Sequence, residues 1–220
     1  TTKAKIGFAR MGEPAHNLTN VAAAMIKLKT TEYNLKGKIQ WLPCFNTILP
    51  RKTYEGHDWK KVLYSILDLK EKVFNGFMHV QLSCNSTDEK KRKELFNGAE
   101  VTAIKDIIQY INEFNITNRT ITLNFISMKG VEFDAKKLLD WGLNKEKFAV
   151  KLIPLNKTIN ATDNGLKTVY NYSNYDELKK QEDILRKEGI PIVTDAIAKC
   201  EEAGVDAVVA EGFEAGGHNG

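Results

Sequence analysis

The sequence predicts an α/β chain, a parallel sheet whose strands are joined by crossover helices. Three observations carry this. Short apolar runs recur along the 220 residues, and each is followed by a stretch with apolar residues at helical spacing. Gly-containing or polar segments separate the two. The alternation continues through the whole chain, the pattern that favours parallel strands with helical returns. Hydrophobic residues make up 42% of the chain and charged residues 27%, enough apolar surface for a sizeable core.

The first strand is expected over Ile6–Ala9, running into a Gly-Glu-Pro turn. Leu18–Leu28 has Val21, Ala24, Met25 and Leu28 on one helical face, with Asn17 as its N-cap. Lys38–Pro43 reads as the second strand. Asp58–Lys72 is a helix whose apolar face carries Val62, Leu63, Ile66 and Leu67. Phe77–Ser83 is a third strand. Thr87–Leu95 is a charged helix capped by Thr87, with Asp88 and Glu89 in the first turn, where the helix dipole favours acids. Glu100–Phe114 is a helix, Thr120–Ser127 a strand, Asp134–Leu143 a helix and Phe148–Leu155 a strand. Lys157–Tyr175, rich in Asn and Thr, reads as one long loop. A helix over Asp176–Glu188 ends at Gly189. A strand at Ile190–Val193, a helix at Thr194–Ala203 and a strand at Asp206–Ala210 complete the pattern.

In such a sheet, ligands bind at the C-terminal ends of the strands. Glu13 stands there between Gly12 and Pro14. Gly12 permits close backbone approach and Pro14 fixes the turn. The Glu13 carboxylate either accepts hydrogen bonds from a cationic amine or is a solvated turn acid. Ser83, Asn85 and Asn156 either line a pocket or end strands. Cys44 and Cys84 read as buried small apolar groups, and His16, His57 and His79 as structural or solvated. Near the end, Glu211, Gly212, Gly216 and Gly217 read either as a Gly-rich loop that wraps a phosphate, with His218 as an acid or base, or as a flexible glycine-rich tail.

The net charge of +4 permits a nucleic-acid partner without requiring one. Three well-separated cysteines, Cys44, Cys84 and Cys200, argue for a reducing compartment, so a cytoplasmic location is expected. No apolar run approaches the roughly 20 residues of a bilayer span, so no membrane partner is expected.

Several of these segments occur in an order that resembles the radical-SAM family over about residues 5–193. MGEPAHN (Met11–Asn17), KIQWLPCFNTILP, VQLSCNSTDEKKRKEL, RTITLNFISMKGV, VKLIPLN and LKKQEDILRKEGIPIV look like successive segments of its large-subunit rRNA adenine methyltransferase branch. The resemblance implies an incomplete TIM-like barrel of six or seven parallel strands. It implies S-adenosylmethionine as ligand, with Glu13 at its amino group and Ser83 and Asn156 beside it, and RNA as partner. Asn85 stands where that family usually has His. The family's 4Fe-4S cluster is held by a C-x-x-x-C-x-x-C motif ahead of the Gly-Glu-Pro strand, and its methyltransferase branch has a cysteine in an Ala-Cys-Gly segment. Neither motif occurs in these 220 residues. The chain is therefore expected to be truncated and inactive alone, loading a cluster only if an upstream segment supplies the thiolates.

Residues 194–220 change text. AIAKCEEAGVDAVVAEGFEAGGHNG looks like nitronate monooxygenases and FMN-dependent enoyl-ACP reductases. That likeness implies FMN as an alternative cofactor, with His218 near the substrate. Two units are thus expected, 1–193 and 194–220, joined near Gly189–Thr194 as a chimeric fragment. A non-catalytic α/β domain is the third reading.

Overall fold

The computed structural model describes residues 2–9, 12–155, 158–169 and 176–193. Five strands form one sheet in the order β1-β2-β3-β4-β5, and every neighbouring pair is parallel. They are β1 (Thr2–Phe8), β2 (Ile39–Thr47), β3 (His79–Ser83), β4 (Ile121–Ser127) and β5 (Phe148–Pro154). Helices fill the connections: α1 (Leu18–Asn34), α2 (Trp59–Asp68), α3 (Glu89–Leu95), α4 (Ile104–Asn112), α5 (Ala135–Asp140), α6 (Ile159–Asp163) and α7 (Asp176–Lys187). The strand order never reverses, so each crossover places the next strand at the growing edge. Beyond β5 the edge is extended by a parallel bridge between Val150 and Ile192, with Val193 N donating to Val150 O at 2.9 Å. Among the described residues β1 does not pair with β5, so the expected barrel of six or seven strands is seen as a five-stranded sheet plus this bridge.

Register separates the two faces of the sheet. Phe45, Val80, Leu82, Leu123, Phe125, Val150 and Leu152 all project from one face, by the alternation of a strand. They join a single core with Met25 of α1, Leu63 and Ile66 of α2, Ile107 and Ile111 of α4, Leu138 of α5 and Leu185 of α7. The helices therefore bury their apolar stripes against the same face. Burying one such side chain contributes about 1.5–3 kcal/mol, and this layer is the main stabilising element.

Several ends differ from the sequence expectation for local reasons. Asn17 does not cap α1: its Oδ1 accepts from Asn20 Nδ2 at 2.7 Å, and a 3-10 turn, Pro14–Asn17, precedes the helix. Thr87 does not cap α3, which Asp88 caps by accepting from Lys90 N and Lys91 N at 2.9 and 3.1 Å. Helix α4 starts at Ile104 rather than Glu100, because Val101 bridges Pro50 and Thr102 N donates to Leu49 O at 3.0 Å. The expected loop Lys157–Tyr175 contains α6, and Thr168 bridges Met128. The helix at Thr194–Ala203 and the strand at Asp206–Ala210 lie outside the described residues.

Candidate functional site

The opposite face of the sheet is polar. In register across it stand Lys5 and Gly7 of β1, Cys44 and Asn46 of β2, His79, Gln81 and Ser83 of β3, Thr122 and Asn124 of β4, and Lys151 of β5. Parallel strands are ordinarily apolar on both faces, so a polar face marks a surface that meets something other than a helix. Its amides are linked in one direction. Asn124 Nδ2 donates to Gln81 Oε1 at 3.0 Å, Gln81 Nε2 to Cys44 Sγ at 3.2 Å, and Cys44 Sγ to Asn46 Oδ1 at 3.1 Å.

At the C-terminal ends of β3 and β4 this face closes into a small cluster. Ser83 and Asn124 are register partners. Cys84 N and Asn85 N both donate to Asn124 O, at 2.9 and 3.1 Å, which folds the end of β3 over β4. The turn puts Asn85 at φ +63°, a left-handed conformation that Asn tolerates better than most residues. Asn85 is 7% exposed and Asn124 2%. The Oδ1 atoms of both are buried, and neither has a hydrogen-bond partner among the described residues. An unpaired buried acceptor costs about 1–3 kcal/mol, and two at neighbouring strand ends call for a donor from beyond the described residues.

A buried cation holds this strand end. Arg92, 1% exposed, donates through Nε to Cys84 O at 3.1 Å and through Nη1 to Thr102 O at 2.6 Å, with Nη2 3.4 Å from Ile48 O. It ties the ends of β2 and β3 to the start of α4. Within the run TDEKKRKEL it reads as one more solvated charge, and only its burial distinguishes it.

The Gly-Glu-Pro turn is placed at the end of β1, beside the end of β2. Gly12 adopts φ +106°, which an L side chain rarely adopts. The Glu13 carboxylate accepts from Ala15 N at 3.0 Å, from Ile48 N at 2.9 Å and from the Thr47 hydroxyl. It therefore caps the 3-10 turn and brackets β1 to β2. Pro14 is buried at the first position of that turn.

The structure thus brings Ser83 and Asn85 together and adds Asn124, while Gly12, Glu13 and Pro14 form a separate bracket at the neighbouring strand ends. Asn156, Glu211, Gly212, Gly216, Gly217 and His218 lie outside the described residues. Asn124 and Gln81 were not among the residues singled out from the sequence. Their signal is the alternation within β3 and β4, where Gln81 stands between Val80 and Leu82 and where Thr122 and Asn124 interleave with Ile121, Leu123 and Phe125.

The two described cysteines, Cys44 and Cys84, do not form a ligand set. Cys44 lies on the polar face, whereas Cys84 packs into the core on the other side. Burial raises the Cys44 thiol above its ordinary pKa and pushes the Cys84 thiol up to about 12, so Cys84 is held as a neutral thiol. Among the described residues no three His, Cys, Asp or Glu side chains are grouped to hold a metal, and the two thiols on opposite faces do not fit an iron–sulfur cluster. None of the described helices is long and apolar enough to cross a membrane.

No protein-family model and no curated protein matches the chain. Among solved structures it is similar to a radical SAM methyltransferase from Sphaerobacter thermophilus, with 22% identity and a TM-score of 0.38 over 54% of this chain and 33% of that one. The chain spans about a third of the length of that structure, and similarity at this level assigns neither a family nor a residue role.

Proposed function

We propose that the polar face binds S-adenosylmethionine at the C-terminal ends of β3 and β4, in a partial TIM-like barrel of the radical-SAM kind. The observation that carries the reading is the pair of buried, unpaired acceptors, Asn85 Oδ1 and Asn124 Oδ1. A ligand that relieves them must bring N–H donors. S-adenosylmethionine has two such groups, an ammonium and an adenine amine. The order of the sequence segments supports the same ligand, and Ser83 beside Asn124 supplies a hydroxyl to it. RNA is the proposed macromolecular partner, from the same resemblance.

The chemistry of this chain alone is binding and orientation. Asn85 and Asn124 accept from the ligand, Ser83 lies beside them, and Arg92 keeps the strand end in place.

Calorimetric titration of the chain with S-adenosylmethionine tests the reading. One saturable site is expected, weakened about tenfold or more in Asn124→Leu, since one lost buried hydrogen bond is worth roughly that factor. Absence of binding, or equal binding by the variant, refutes it. Bound yellow flavin on the purified chain would favour FMN chemistry instead.

A further inference from the structure

The connection that leaves β2 contains a tight hairpin over residues 51–59. Lys52 and Asp58 form an antiparallel bridge, Trp59 N donates to Arg51 O at 3.2 Å, and Thr53 N donates to His57 O at 2.8 Å. The tip turns at Gly56, whose N–H donates to Thr53 O at 3.0 Å and whose φ is +81°. Thr53 is buried, and its hydroxyl accepts from His57 N at 3.0 Å. The base is fixed as well, by Arg51 N donating to Glu100 O at 2.8 Å.

Tyr54 stands at the tip. Its ring stacks on His16 of the 3-10 turn, with centroids 3.7 Å apart and planes 6° from parallel. Tyr54 N donates to His16 Nδ1 at 3.3 Å. One face of the ring is thus supported, yet Tyr54 is 87% exposed, so the other face is open to solvent. Beside it, Arg51 and Lys52 are exposed, and neither side chain forms an ion pair among the described residues. The two acids of the hairpin are engaged elsewhere. Glu55 Oε2 accepts from Thr19 N at 3.2 Å and lies 3.6 Å from His57 Nε2, while Asp58 Oδ1 accepts from Lys61 N at 2.8 Å.

A supported aromatic ring with one open face, next to two cations without internal partners, is the combination that takes single-stranded nucleic acid. A base stacks on the ring and its phosphates meet the cations. A duplex keeps its bases stacked on one another and cannot use the ring. A protein partner would need a wider apolar surface than one ring among Arg51, Lys52, Glu55 and Gly56.

We infer that the hairpin 51–59 is a contact surface for single-stranded RNA, with Tyr54 stacking one unpaired base and Arg51 and Lys52 contacting the phosphates. The inference rests on RNA as the partner proposed above and adds the surface that holds it. The hairpin follows the C-terminal end of β2, on the same rim of the sheet as the ends of β3 and β4.

Fluorescence anisotropy of the 220-residue chain with labelled single-stranded RNA of about ten nucleotides tests it. The single strand should bind more tightly than a duplex of equal length. Tyr54→Ala should weaken binding about tenfold, the loss of one stacked base, and Tyr54→Phe should restore it. Lys52→Gln should lower the slope of log affinity against log salt by about 0.7, one phosphate contact, while Tyr54→Ala leaves that slope unchanged. Should Tyr54→Ala fail to fold, the wild-type Tyr54 ring resonances serve instead, and RNA should move them upfield. RNA bound equally by folded Tyr54→Ala, or Tyr54 resonances that RNA leaves unmoved, would overturn the hairpin assignment and leave RNA as partner. Duplex bound as tightly as single strand would overturn the stacking role. Absence of RNA binding by the wild-type chain would overturn both the assignment and the RNA reading.

Discussion

Replacing Asn85 separates a residue kept for binding from one kept for the fold. Its backbone sits at φ +63° and its Oδ1 is buried without a partner. In Asn85→Gly the unpaired acceptor disappears, which recovers about 1–3 kcal/mol. Glycine also accepts the left-handed backbone without strain. Against this stand the extra freedom of glycine in the unfolded chain, about 0.5–1 kcal/mol, and the small void left by a side chain that is 7% exposed. The balance is a gain of about 0.5–1 kcal/mol. Asn85→Ala removes the same oxygen but keeps a Cβ in the left-handed region, which Ala tolerates less well than Asn, so it should be near neutral. Both variants should lose S-adenosylmethionine affinity by about tenfold. Urea unfolding followed by circular dichroism reads the first quantity, and calorimetry the second. Loss of stability by more than about 1 kcal/mol in Asn85→Gly, with binding intact, would show that the side chain serves the fold and would refute the reasoning.

Three further outcomes are expected. Arg92→Met keeps much of the volume but strands the Cys84 and Thr102 carbonyls, and should destabilise by about 3–5 kcal/mol in the same unfolding assay, with Arg92→Lys restoring only part. Gly76→Ala should cost about 2–3 kcal/mol, because its Cβ would lie 2.5 Å from Thr117 O at φ +75°, whereas Gly56→Ala, at φ +81° with open space around it, should cost only about 1 kcal/mol. His79 has a folded-state pKa lowered to about 4, below the ordinary 6.5. The unfolded chain therefore takes up that proton first, so this contribution is complete above about pH 6.5 and is lost as pH falls towards 4. It amounts to about 1–2 kcal/mol after allowing for the partly exposed ring, and His79→Gln should flatten the stability profile in that window.

Much of the fold is legible in the residues because its signals are local. The apolar stripes Val62–Leu63–Ile66–Leu67 and Ile104–Ile107–Ile108–Ile111 announce helices that need one partner face. The Gly-Glu-Pro turn is equally readable, since Gly12 takes a positive φ and Pro14 begins a 3-10 turn. What Glu13 bonds is not legible: Thr47 and Ile48 lie more than thirty residues away and meet it only through strand pairing. Arg92 fails for the same reason. Its neighbours in sequence are solvated, and its burial depends on Ile48 and Thr102 arriving from other segments. The polar sheet face occupies an intermediate position. Gln81, Thr122 and Asn124 each alternate with apolar residues in sequence, but only the register aligns them into one surface. The cap exchange from Thr87 to Asp88 turns on a long-range bond, since the Thr87 hydroxyl is taken by Asp134 N at 2.9 Å.

The most direct test of the strand-end site is a crystal structure of the chain grown with S-adenosylmethionine. Ligand N–H groups are expected within about 3.2 Å of both Asn85 Oδ1 and Asn124 Oδ1, with Ser83 alongside. A ligand bound elsewhere, or the two amide oxygens paired to the chain's own groups with no ligand present, would contradict the assignment.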